Sequence, residues 1–127
     1  MRFLTMMAGL LALSPLAAQA QDAEAGQRVF NQCRACHTIN QGGRSGVGPN
    51  LHGIIGRAAG SVEGFRYSAA MRERAAAGLV WNEDNLSAYI ADPKAVVPGG
   101  SMSYAGLRNE EQRNNLLAYL RQASTAN

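Results

Sequence analysis

Apolar residues recur along the chain at helical spacing in four places, separated by long polar or glycine-rich stretches. Asp22 stands before the first and can cap a helix from Ala23 to about Cys33. Gly26 and Phe30 lie four apart on it, one above the other. A glycine inside a helix costs about 1 kcal/mol against alanine, and close approach of another helix would offset that cost. Ser68 caps a second helix, Ala69 to Ala77, with Gly78 as its stop. Asn82 caps a third, Glu83 to about Asp92, ended by Pro93. Asn109 with Gln112 three residues on resembles a capping box, and Glu110 and Glu111 suit a helix start. The last helix runs to about Ala123, with Leu116, Leu117, Tyr119 and Leu120 as its apolar stripe.

Between these helices the chain is irregular. Gly42, Gly43, Gly46, Gly48 and Pro49 forbid a regular element over 41–50, and glycines continue through Gly64. The stretch Ala91 to Tyr104, with Pro93, Pro98, Gly99 and Gly100, reads as a structured loop. No alternating strand pattern and no internal repeat is present. The prediction is an all-α fold, with helices at both ends and long loops between. A compact domain rarely needs so much irregular chain, so a large buried cofactor is expected to organise it.

The N-terminus has a different pattern. Met1 and Arg2 precede an apolar run from Phe3 to Leu13, and Ala18-Gln19-Ala20 forms a small-x-small cleavage site. This is the layout of a secretory signal peptide over 1–20, leaving one domain over 21–127. The run is shorter than the roughly 20 residues a spanning helix needs. Cleavage removes Arg2 and lowers the formal net charge of +3 by one. No dense basic stripe is left, so nucleic acid is not an expected partner. Export into a bacterial periplasm is oxidising, so two thiols there must be bonded to something.

Those thiols stand in Cys33-Arg34-Ala35-Cys36-His37, the C-x-x-C-H attachment signature of c-type haem. Two thiols at i and i+3 can each bond one vinyl-derived carbon, and the adjacent histidine supplies a neutral imidazole nitrogen to the iron. Two other chemistries use the same residues. A Cys33–Cys36 disulfide of the thioredoxin kind needs a βαβ context that the pattern lacks. A zinc site from Cys33, Cys36, His37 and His52 has a legal ligand count, but its spacing does not match known modules. For a sixth iron ligand the mature chain offers Met71, Met102 and His52. Met71 sits on a helix beside arginines, where a packing methionine is ordinary. Met102 lies on the Pro98-Gly99-Gly100-Ser101 loop, which can aim a thioether, and is the expected ligand.

In this order the motifs resemble the class I c-type cytochromes, specifically the mitochondrial, c2 and c550-like soluble electron carriers. The resemblance covers Ala25 to Arg121. Its pieces are Gly26 with Phe30, the C-x-x-C-H run, Gly48-Pro49-Asn50-Leu51-His52-Gly53-Ile54-Ile55-Gly56-Arg57, and Gly64-Phe65-Arg66-Tyr67-Ser68. Trp81, Tyr89-Ile90-Ala91-Asp92-Pro93-Lys94, Pro98-Gly99-Gly100-Ser101-Met102 and Leu116-Leu117-Ala118-Tyr119-Leu120 complete it. The resemblance implies one covalent haem c held by Cys33 and Cys36, with His37 and Met102 axial. It implies that Pro49 offers its carbonyl to the second ring nitrogen of His37. Arg57 and Trp81 are expected to hydrogen-bond a haem propionate, with Tyr67 closing that region and Tyr89 near the Met102 sulfur. Gly26 and Phe30 are expected to meet the last helix near Leu116 and Tyr119, and His52 to be a surface or structural residue.

The implied protein is a monomeric periplasmic one-electron carrier and not an enzyme. Its implied partners are redox proteins: a terminal oxidase, a quinol–cytochrome c reductase, a photosynthetic reaction centre or a periplasmic dehydrogenase. The chain departs from the family in its cations. Lys94 is the only lysine among twelve basic residues, and Ser101 stands where a lysine is common, so docking is expected to depend weakly on salt.

Overall fold

The computed structural model describes residues 9–11 and 21–125. Most of the expected leader, with its cleavage site at Ala18 to Ala20, lies outside these residues.

Five helices follow one another: α1 (Ala23–Phe30), α2 (Ala69–Ala76), α3 (Glu83–Ala91), α4 (Pro93–Val96) and α5 (Glu110–Thr125). Each of the four expected caps is formed. Asp22 Oδ1 accepts from the backbone N–H of Glu24 at 3.0 Å and of Ala25 at 3.1 Å. Ser68 Oγ accepts from Met71 N at 3.1 Å, and Asn82 Oδ1 from Asn85 N at 2.8 Å. Asn109 Oδ1 accepts from Gln112 N at 2.9 Å, so the backbone half of the expected box is in place. Gly78 stops α2 at φ +91°, a conformation that glycine adopts without the Cβ penalty.

α2 and α3 stop one residue short of the expected Ala77 and Asp92, α5 runs two residues past Ala123, and two larger differences from the sequence reading stand out. α1 ends at Phe30, short of the expected Cys33, and the chain continues as tight turns through Cys36. There the bonds close over three residues, Gln32 N to Val29 O at 3.3 Å and Cys33 N to Phe30 O at 2.8 Å. The expected loop after Asp92 contains the single turn α4, which Pro93 opens from the N1 position. No strand forms among the described residues. An isolated antiparallel bridge joins Ala58 to Val80, and it brings Arg57 beside Trp81 through Trp81 N to Arg57 O at 2.8 Å.

α1 and α5 make the most extensive helix–helix contact among the described residues. The reason is Gly26. A Cβ built there would overlap the backbone carbonyl oxygen of Asn115 on α5 and come within 2.9 Å of Tyr119 Cβ. The two helix backbones therefore touch, which only glycine permits at this crossing. Phe30 is fully buried beneath it and stacks obliquely on Tyr119, ring centroids 5.3 Å apart. Leu116, Leu117 and Leu120 from α5 and Trp81, Leu86 and Ile54 from the middle of the chain complete one core. This core is one wall of a deep pocket, and the glycine-rich loops form the rest of it.

Candidate functional site

The turn after α1 presents the chemistry. His37 N bonds Cys33 O at 2.9 Å and Cys36 N bonds the same oxygen at 3.2 Å. This helical-type turn puts two thiols and an imidazole on one short segment. Both thiols are free and half-buried. Burial pushes the Cys33 thiol above its ordinary range, and the neighbouring Cys36 adds to the effect.

His37 is oriented by its own loop. Its Nδ1 lies 2.8 Å from the Pro49 carbonyl oxygen. A carbonyl only accepts, so Nδ1 carries the proton and Nε2 keeps its lone pair. Burial lowers the basicity of the ring; the Pro49 carbonyl works against this, and the Arg57 charge works with it. Neutral imidazole is the form a metal requires. Gly48 packs against the ring, and a Cβ at that position would overlap Cε1 and crowd Nδ1 and Nε2 at 2.7 Å. The glycine is needed so that the loop can pass close enough for Pro49 to reach Nδ1.

The second sulfur comes from the other loop. Tyr89 on α3 directs its hydroxyl to Met102 Sδ at 3.8 Å. Tyr89 also packs on Trp81, with ring centroids 4.7 Å apart. Burial pushes the Tyr89 phenol up, so it remains a donor at any ordinary pH. Lys94 Nζ donates to Gly100 O at 3.3 Å and ties α4 to the loop that carries Met102.

Cys33, Cys36, His37, Pro49, Arg57, Tyr67, Trp81, Tyr89 and Met102, which lie far apart in sequence, all line the same pocket. Its space is about 230 Å³, against roughly 10–15 Å³ for one water on the same measure. Leu51, Ile54, Phe65, Met71, Leu86 and Leu116 make much of the remaining wall. A large apolar hollow holding two thiols, a pre-oriented imidazole and a thioether fits a haem, and its donors are of the types that bind one. It does not fit zinc. Among the described residues no three His, Cys, Asp or Glu side chains gather as a metal-binding group, and His52 is not on the pocket wall.

The arginine expected to meet a propionate is engaged with the protein as well. Arg57 donates from Nη1 to His52 O at 3.1 Å and from Nη2 to Asn50 O at 3.0 Å. It is half-buried and holds the 50–57 loop in shape while its charge faces the pocket. Tyr67 accepts at its hydroxyl from Val62 N at 2.9 Å, which closes the loop below it. His52 is structural: its backbone takes part in the loop, and its Nδ1 is buried without a protein partner among the described residues. The sequence reading gave no role to Asn50, Thr38 or Ser45; Asn50, next to Pro49, donates to Ser45 Oγ from its backbone and to Thr38 Oγ1 from its side chain. Asparagine beside proline in a glycine-rich loop was the available signal.

Comparison with known proteins agrees with this geometry. A family model described as Cytochrome c matches residues 23–124. The chain is similar to the cytochrome c2 of Blastochloris viridis, 43% identical over 122 residues, which are 96% of this chain and 94% of that protein. It is 46% identical to the cytochrome c-550 of Nitrobacter winogradskyi over 101 residues, 80% of this chain and 90% of that one. Similarity to the cytochrome c of Guizotia abyssinica is 42% over 110 residues, 86% and 96% of the two chains.

Proposed function

The chain belongs to the cytochrome c family, and from that premise we propose a monomeric periplasmic electron carrier in which Cys33 and Cys36 would hold the haem and His37 and Met102 would ligate its iron. The family carries one covalent haem c and moves electrons without transforming a substrate. The bound haem supplies an Fe(III)/Fe(II) couple. The observation that carries the assignment is the convergence of His37, locked by Pro49, and Met102, contacted by Tyr89, on one apolar pocket.

The protein's own part follows from those contacts. Cys33 and Cys36 would each add their S–H across one haem vinyl group, and the two thioethers would anchor the group to the turn after α1. Pro49 holds the His37 proton on Nδ1, leaving Nε2 free to donate. A thioether ligand favours the reduced state relative to a second imidazole, and exclusion of water acts in the same direction, so the potential is positive. Arg57 and Trp81 lie together on the pocket wall, where a propionate would meet a guanidinium and an indole N–H. Its redox partners would be proteins: an oxidase, a quinol–cytochrome c reductase, a reaction centre or a dehydrogenase.

Residues 1–20 act as a cleaved signal peptide and 21–127 as the carrier domain. The similarity to the Blastochloris viridis protein supports a shared leader, because 122 aligned residues must extend into that segment. Among the described residues no helix is long and apolar enough to cross a membrane.

The test is a visible spectrum of protein matured in a periplasm, oxidised and then reduced. Sharp reduced α and β bands with a weak far-red band in the oxidised form are expected. Haem without the far-red band refutes Met102 as ligand, and absence of haem refutes the reading as a whole.

A further inference from the structure

We propose that Asn50 is the positioning residue that sets how strongly the Pro49 carbonyl holds the His37 proton, and through that bond how strongly His37 Nε2 donates. The proposal rests on the reading of His37 as an iron ligand.

The Pro49 carbonyl and the Asn50 N–H belong to the same trans peptide, so they point in opposite directions and rotate together. Fixing the Asn50 N–H therefore fixes the carbonyl that meets His37. That N–H donates to Ser45 Oγ at 3.0 Å. The rest of Asn50 is equally committed. Its Nδ2 donates to Thr38 Oγ1 at 2.7 Å and to Asn40 O at 3.0 Å. Its Oδ1 accepts from His52 N at 2.9 Å, and its own carbonyl accepts from Arg57 Nη2 at 3.0 Å. Every donor hydrogen of the residue, and both of its oxygens, has a partner.

A second observation shows a built cradle. Gly43 leaves room for the Asn50 carboxamide, since a Cβ there would stand 2.5 Å from Asn40 Oδ1 and 2.8 Å from Asn50 Nδ2. Asn50 also joins two segments: Thr38 follows His37 directly, and Arg57 lines the pocket. One side chain thus couples the ligand's own strand of chain to the loop carrying its hydrogen-bond acceptor. Outer partners of this kind tune the basicity of a metal-bound histidine. A firm Nδ1–H···O bond makes the imidazole a stronger donor and favours Fe(III), so loosening it raises the potential.

The test compares the haem-loaded parent with Asn50→Ala, Asn50→Asp and Ser124→Ala. Ser124 Oγ receives Gly53 N at 3.1 Å, so its removal loosens the same loop without touching Asn50. Three readouts are taken: midpoint potential, exchange of the His37 Nδ1 proton by NMR, and unfolding midpoint. Asn50→Ala keeps the backbone N–H on Ser45 but removes the side-chain bonds to Thr38, Asn40 and His52 that hold that peptide in place, and is expected to raise the potential and to speed Nδ1 proton exchange by about tenfold, the size of one lost hydrogen bond. Asn50→Asp keeps the acceptor for His52 N and loses the donors, and is expected to show the same signs at smaller size. It also serves if the alanine variant does not fold. Ser124→Ala is expected to lower stability alone.

Unchanged potential and exchange in both Asn50 variants overturns the proposal. So does a fall in potential, which is the sign of water entering the pocket. An equal effect from Ser124→Ala also overturns it, since loop softening would then suffice. A parent protein whose His37 shows no iron-shifted resonances removes the underlying ligand assignment and the proposal with it.

Discussion

Gly26→Ala separates two opposed expectations. Helix propensity alone predicts that alanine stabilises α1 by about 1 kcal/mol. The structure predicts the reverse. The new methyl overlaps the Asn115 carbonyl oxygen, which is α5 backbone and cannot rotate away, and it crowds Tyr119 Cβ at 2.9 Å. Relief requires the helices to separate by on the order of 1 Å, a gap that forfeits a quarter to a half of the dispersion well at each facing contact. Phe30, Leu116 and Leu120 are the most deeply buried side chains of the two helices, at 0%, 2% and 3% exposure. Each contributes about 2 kcal/mol by burial. Losing a quarter to a half of that, less the propensity gain, leaves a net destabilisation of about 0.5 to 2 kcal/mol, which reaches the ordinary range for overpacking. Guanidinium unfolding of the haem-loaded protein, followed by far-UV circular dichroism, measures it. A variant as stable as the parent, or more stable, refutes backbone contact between α1 and α5.

Gly48→Ala drives a methyl into steric overlap with the His37 ring; the expected outcome is displaced histidine and an altered reduced spectrum, and an unchanged spectrum counts against the loop geometry. Met102→His is expected to lower the midpoint potential and abolish the far-red band, because imidazole favours Fe(III) more than thioether does; redox titration reads it, and an unchanged or higher potential refutes the ligand. Asn82→Ala removes the acceptor of Asn85 N and is expected to cost about 1 kcal/mol in equilibrium unfolding. The exposed residues on the pocket wall, Gln32, Val47, Ala58, Ser101 and Ser103, are uncharged. Oxidation by a redox partner is therefore expected to slow by less than about tenfold between low and physiological salt, and a steeper loss in stopped-flow rates would show an effective basic ring.

Features set by the linear pattern and features set by packing divide by range. Caps are local chemistry: Asp22, Ser68, Asn82 and Asn109 each bond a backbone N–H two or three residues ahead, so residue type and spacing suffice. The C-x-x-C-H turn is local for the same reason, as is Met102 on its Pro-Gly-Gly loop. The end of α1 at Phe30 was not legible, because helix and tight turn share the same residues up to Cys33 and packing decides between them. α4 was hidden by two prolines and two glycines, although Pro93 at its first position is compatible with a helix.

By itself, then, the sequence determined that the chain is helical, that Cys33, Cys36 and His37 stand together in one C-x-x-C-H motif, and that Gly26 marks a close approach. Only the tertiary structure decided what Gly26 approaches, that Arg57 clasps the carbonyls of Asn50 and His52, and that Asn50 stands behind the Pro49 carbonyl. Such contacts join loop segments whose directions are set by the core they surround. A glycine-rich chain admits many paths between the same helices, and the path taken is the one that satisfies its buried polar groups together.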